Sequence, residues 1–261
     1  MPPEPLPEST TEVPPPITTS LLSRMFNVFA APGEVFEEVK ASPPSTANWF
    51  APALIYILIG WIGGFMIMSQ EGLRHQMAEM REKPIQKRVE QGKMTQQQAD
   101  QALAASEKFA DIFTKIIVVL GPVVMAFTTP FWWAFFMWLV GAKFLHGNFS
   151  YMKAVEVAGL VNMIEVLEAI VRSLLVLALG NLLAAPSPML LIHDFDPQNT
   201  VHGALSTLNI LVLWALGVRA IGVSKLAGVS FGKALGWLVA LWVAWYAFWI
   251  AVGAAIQKAF A

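Results

Sequence analysis

The chain has 261 residues, 56% of them hydrophobic and only 13% charged, with a mean hydropathy of +0.57, which is the balance of a membrane protein. A net charge of -1, with no Lys or Arg cluster interleaved with aromatics, excludes nucleic-acid binding. The absence of cysteine excludes disulfides, thiolate nucleophiles and Cys-ligated metals.

The opening stretch PPEPLPESTTEVPPPITT holds seven prolines, and no Lys or Arg precedes Arg24. Residues 1–20 are therefore expected to be a disordered tail and not a signal peptide. From Leu21 to Ala31 the spacing of Leu21, Leu22, Met25, Phe26, Val28 and Phe29 predicts an amphipathic helix lying at the membrane interface, ended by Pro32 and Gly33. Glu34 to Ala41 predicts a second short helix with Val35, Phe36 and Val39 inward, stopped by Ser42, Pro43 and Pro44.

Residues 49–69, WFAPALIYILIGWIGGFMIMS, form the first predicted span, and Gly60, Gly63 and Gly64 on one side would admit another helix closely. Residues 70–115 are polar, with eight basic side chains nearly balanced by seven acidic ones. Gly92 suits a helix C-terminus and Thr95-x-x-Gln98 a capping box, so this segment reads as a helical hairpin. The second span, 116–140, is expected to be interrupted at Gly121 and Pro122 and kinked at Pro130, with aromatics crowding its latter half.

The third span, 157–181, carries Glu165, Glu168 and Arg172, which at 100° per residue share one side of a helix with Asn162. Each charge at a membrane helix centre costs ~2.5 to 3.5 kcal/mol, so this stripe must face other helices or water. Glu168 before Arg172 suits an i,i+4 ion pair. In an alternative register residues 173–192 cross instead, which would put Pro186 and Pro188 inside the helix.

Between Leu182 and Ala204, His193, Asp194, Asp196 and His202 invite a metal reading, but no known ligand spacing is matched and Asp196-Pro197 with Asn199 equally suits a turn. No metal or cofactor is expected. Residues 205–223 form the fourth span, with Arg219 able to snorkel, and 234–256 the fifth. All ten tryptophans and only four of the thirty-five charged residues fall within these spans.

The sequence thus predicts an all-α integral membrane protein: a single domain over 21–261 with five transmembrane helices, an N-terminal interfacial amphipathic helix, and a polar helical hairpin between helices one and two. Lys143, Lys153, Lys225 and Lys233 lie in one set of short loops, whereas the loop from Leu182 has no Lys or Arg. This asymmetry favours a cytoplasmic N-terminus, although the eight basic residues of 70–115 argue the other way.

Four segments resemble the Yip1 family of five-span membrane proteins in its bacterial form. Met25-Phe26-Asn27-Val28-Phe29 followed by Pro32-Gly33-Glu34-Val35-Phe36 resembles the family's entry motif, and Trp49 with Pro52 the opening of its first span. Phe149-Ser150-Tyr151-Met152-Lys153-Ala154 is similar to the entry of span three. Leu208-Asn209-Ile210-Leu211-Val212-Leu213-Trp214-Ala215-Leu216, with Ile221-Gly222-Val223-Ser224 and Gly232-Lys233-Ala234, carries the most specific likeness. Asn209 stands where bacterial relatives often have an acid, and the Glu165, Glu168 and Arg172 charges are not usual for the family. The DLYGP motif of the eukaryotic branch, which is associated with Rab GTPases, is absent, so GTPase binding is not carried over.

The resemblance implies a bacterial cytoplasmic membrane protein. No H-E-x-x-H, G-x-S-x-G, P-loop or dinucleotide motif occurs, so no enzyme activity is expected. The leading expectation is a non-catalytic protein that binds a membrane or soluble protein partner or organises the lipid bilayer, with homo-oligomerisation open. The alternative is a transporter or channel component using the Glu165, Glu168 and Arg172 stripe.

Overall fold

In the computed structural model of the chain, residues 19–192 and 199–259 are described. Those residues hold helices and no strand: Leu21–Ala30 (α1), Pro32–Ala41 (α2), Ala47–Ser69 (α3), Glu71–Glu90 (α4), Gln96–Trp138 (α5), Tyr151–Leu179 (α6), Thr200–Thr207 (α7), Ile210–Ala227 (α8) and Phe231–Ala259 (α9). A π turn, Leu139–Phe144, follows α5 and a 3-10 turn, Pro188–Leu191, precedes α7. The proline-rich residues 1–18 lie outside the described residues, as do His193, Asp194 and Asp196.

Local chemistry sets most boundaries. Ser20 caps α1 by accepting from the Ser23 amide, and Ser150 caps α6 in the same way. Pro32 starts α2 instead of merely ending α1, because a proline in the first helical turn gives up an amide that would have no partner there. Thr95 and Gln98 form the reciprocal capping box that opens α5, and Gly92, at φ 68°, follows the end of α4.

Two expectations are overturned. α5 is not interrupted: it passes through Gly121, Pro122 and Pro130 as one helix, and at about 1.5 Å per residue its 43 residues reach far beyond a bilayer's apolar core. Side chains bond carbonyls along the stretch that holds the prolines: Trp61 Nε1 donates to the Val119 carbonyl at 2.8 Å, the Thr128 hydroxyl to Val124 at 2.7 Å, and the Tyr151 hydroxyl to Phe131 at 2.9 Å. The alternative register, with 173–192 crossing, also fails. α6 stops at Leu179, where Gly180 takes the left-handed conformation at φ 58°, and Gln76 of α4 donates to the Gly180 carbonyl at 2.5 Å.

Among the described residues, four helices are long and apolar enough to cross a membrane: Ala47–Ser69, Ile112–Phe144, Ile210–Ala227 and Phe231–Gly253. Residues 205–209 of the predicted fourth span lie outside α8, because Asn209 caps that helix by accepting from the Leu211 amide. α6 has the length, at 29 residues, but carries Lys153, Glu156, Glu165, Glu168 and Arg172. It is also the centre of the bundle: α3, α5 and α8 all pack on it, and its first half, from Lys153 to Ile164, is buried without a break.

Apolar side chains gain little by leaving lipid for a helix interface, so close backbone approach has to hold such helices together. Gly159 of α6 faces the Trp49 backbone, Gly222 of α8 faces Val157, and Gly63 of α3 faces Ser173, each with no room for a Cβ. Gly60 and Gly64 meet Pro122 and Val118 of α5, so the predicted small-residue face of α3 is shared between two partners.

Candidate functional site

Two polar clusters lie along α6, with the buried Asn162 between them in the sequence. The first fastens the entry helices. α1 and α2 press Met25, Val28, Val35, Phe36 and Val39 into the core, while Leu22 and Phe26, one turn apart on α1, point outward at 63% and 61% exposure. Arg24, the basic residue of α1, turns inward and pairs with Glu38 at 2.7 Å. Its guanidinium also donates to Asn48 Oδ1 at 3.4 Å, and Asn48 Nδ2 donates to Glu156 Oε2 at 2.6 Å.

Glu156, 1% exposed, sits 2.9 Å from the Lys153 ammonium, which donates to the Val39 and Ser42 carbonyls at 2.6 and 2.7 Å. The Lys153–Glu156 contact is close enough for an ion pair, but its angle leaves Glu156 Oε1 without a hydrogen bond. A buried lysine thereby caps the end of α2, and the chain of contacts runs from α1 through α3 to α6. Outside the apolar region, burial pushes the Glu38 carboxyl up, but hydrogen bonds from Thr19 and Arg24 outweigh it and hold the group below its ordinary value of 4.5. At the exposed Glu37 the Lys225 ammonium, 2.5 Å away, lowers the carboxyl.

The second cluster contains the predicted stripe, arranged differently from expectation. Asn162 is buried, with Oδ1 lacking a hydrogen-bond partner among the described residues. Glu165 and Glu168 are half-buried, and Arg172 is exposed, so the stripe runs outward along α6. The anticipated Glu168–Arg172 ion pair does not form. Glu165 instead pairs with Arg219 of α8, and Glu168 accepts from Asn209 Nδ2 at 2.8 Å.

Arg219 does not snorkel. It is 1% exposed, and its guanidinium lies 4.0 Å from the Trp133 ring centre, held between an aromatic face and an acid. The physical reason is proximity: α8 packs on α6, so Glu165 offers Arg219 a partner inside the bundle and it need not reach for a headgroup.

A cavity of about 720 Å³ opens beside this cluster. Glu165, Glu168, Arg172, Asn209 and Arg219 line one side, while Trp132, Phe136, Trp242, Trp245 and Tyr246 line another. Trp132 and Trp245 pack edge to face across α5 and α9 at 5.0 Å. Leu183, Met189 and Thr207, from the connection between α6 and α8, lie at one end. A concave site with an aromatic wall and a few convergent polar groups is what a small-molecule site requires.

Of the metal candidates only His202 is described, in α7, and no group of three or more His, Asp or Glu comes together among the described residues. Nothing in the sequence alone brings Arg24, Glu38, Asn48, Lys153 and Glu156 together. The available signals were a lone arginine in an apolar helix and a Lys-x-x-Glu pair just before a span. Asn209 stands out in the sequence only as a departure from a family pattern.

No curated protein and no solved structure matches the chain. The Yip1 domain, however, matches residues 26–252, a stretch that takes in the second cluster whole and the first from Phe26 onward, leaving Thr19, Arg24 and Met25 just before it. From α1 to α9, the chain belongs to the Yip1 domain family.

Proposed function

We propose that this is a non-catalytic five-span protein of a bacterial cytoplasmic membrane, with its N-terminus inside, that binds a protein partner or organises lipid. The observation that carries the proposal is the fastening of α1 and α2. Arg24, Asn48, Lys153 and Glu156 fix this amphipathic pair rigidly to the bundle while Leu22 and Phe26 are left facing outward. A helix lying in the interface with apolar side chains outward reads the adjoining lipid or protein surface. In this reading α6 is the fifth span: Lys153, Glu156 and Glu165 are paired within the bundle, Glu168 is bonded to Asn209, and the exposed Arg172 lines the cavity.

The polar hairpin of α4 and the start of α5 supplies a second exposed surface of mixed charge. A specific observation also favours transport, because Glu165, Glu168 and Arg172 line a cavity at bundle depth. One experiment separates the two readings. A photocrosslinking residue at Phe26 or Arg88 should give discrete adducts in native membranes, while reconstituted vesicles should show no proton or cation flux above empty vesicles. Flux that falls with Glu165→Gln, and no adducts, would reverse the order of the readings.

A further inference from the structure

We propose that the cavity beside α6 binds a single-chain glycerophospholipid, its tail among the aromatics of α5 and α9, its free glycerol hydroxyl on Glu168 and its phosphate on Arg172. The proposal goes beyond the partner-binding reading but rests on the same membrane-embedded bundle.

The charges that line the cavity differ in how far they are already satisfied. Arg219 is neutralised by Glu165 and stacked on Trp133, so it is not available to pull in a free anion. Glu168 has one hydrogen bond, from Asn209 to Oε1, and as a carboxylate it has further acceptor capacity. Arg172 makes no hydrogen bond or ion pair with a described residue, is exposed, and lines the cavity. The polar wall therefore offers an acceptor and, one helical turn farther along α6, a cation.

Direction then selects the ligand. Arg172 is seven residues from the end of α6 at Leu179, roughly 10 Å along the axis, and Glu168 lies about 6 Å deeper. Trp132 and Phe136 lie in the last two turns of α5, the end that Tyr151 at the start of α6 reaches through the Phe131 carbonyl, and Trp245 of α9 packs on Trp132 there. A ligand entering by its tail thus meets, from inside outward, an apolar wall, an acceptor and a cation. In a lysophospholipid the order is the same: acyl chain, free hydroxyl, phosphate. A phosphate held by a guanidinium and a hydroxyl donated to a carboxylate are both charge-assisted hydrogen bonds, stronger than neutral ones.

Size and access agree. At about 30 Å³ per methylene-sized group, an eighteen-carbon chain needs roughly 540 Å³, so one acyl chain fills most of the 720 Å³ cavity and a second would have to lie outside it in the bilayer. Trp132 and Trp245 are 45% and 37% exposed, so the apolar side is open toward lipid and an amphiphile can enter from the bilayer.

The test uses the full chain in nanodiscs of diacyl phosphatidylcholine, with quenching of tryptophan fluorescence by lysophosphatidic acid carrying a brominated acyl chain. Expected is saturable quenching, displaced by unbrominated 1-oleoyl lysophosphatidic acid. The analogue lacking the glycerol hydroxyl, and the Glu168→Gln and Arg172→Gln chains, should each need about tenfold more ligand, the loss of one hydrogen bond to a charged group. Glu168→Gln keeps an oxygen for Asn209, so it tests the ligand contact without removing that internal bond. Glycerol phosphate alone should not compete.

Quenching that never saturates, or equal displacement by oleic acid, by diacyl phosphatidic acid and by the hydroxyl-free analogue in the wild-type chain, would overturn the proposal without recourse to any variant. Failure of the membrane-embedded reading would look different: the chain would stay dispersed without detergent and would not enter nanodiscs.

Discussion

Arg219 shows how one side chain answers to its neighbours more than to its position in the sequence. It lies in the second half of α8, near enough to an end for its head to reach water, yet it is buried against Trp133 and Glu165. Removing one partner of such a pair strands the other charge, whereas removing both together does not. Arg219→Met alone should therefore destabilise the protein by about 3 to 5 kcal/mol, and Arg219→Met combined with Glu165→Leu should recover most of that loss. Thermal unfolding of the purified chain in detergent measures both; equal loss in the single and double variants would mean that the two residues do not act as a pair.

Among the elements, α1 and α2 depend most on polar contacts, because only one side of each is covered by the bundle. Glu38 contributes through its carboxylate, which accepts from Arg24 and from the Thr19 amide at 2.7 Å. Its folded-state value is lowered, so its stabilisation is fully present above the ordinary value of 4.5 and is lost as the pH falls through the lower, folded value. Limited proteolysis of α1 and α2 should speed up as the pH is taken from 7 toward 3. In Glu38→Gln the cleavage at neutral pH should already be faster and its acid dependence shallower. An unchanged pH profile in that variant would assign the acid sensitivity to another group, Glu37 on Lys225 being the next to examine.

For the whole molecule, the position of α6 decides the topology. In the five-span reading α6 crosses lipid with Lys153, Glu156 and Glu165 paired inside the bundle, Glu168 bonded to Asn209, and the exposed Arg172 on the cavity nearer the helix end. Reporters fused after Gly92, Gly147, Gln198, Ala227 and Ala261 should then alternate, outside after Gly92, Gln198 and Ala261 and inside after Gly147 and Ala227. Reporters after Gly147 and Gln198 on the same side would mean that α6 does not cross.

The apolar runs that become α3, α8 and α9 were legible in the sequence, because a stretch of some twenty apolar residues has few structural options near a bilayer. Local signals such as Thr95 with Gln98, and Gly92, likewise act over one turn and can be read without a fold. Which charges share a helix face also followed from periodicity. Their partners did not: Glu165 with Arg219, Glu168 with Asn209, and Arg24 reaching Glu156 through Asn48 join residues far apart in the chain. Helical spacing limits a side chain's neighbours to its own face, and only the packing of α1, α3 and α8 on α6 decided which of the other charges it would meet.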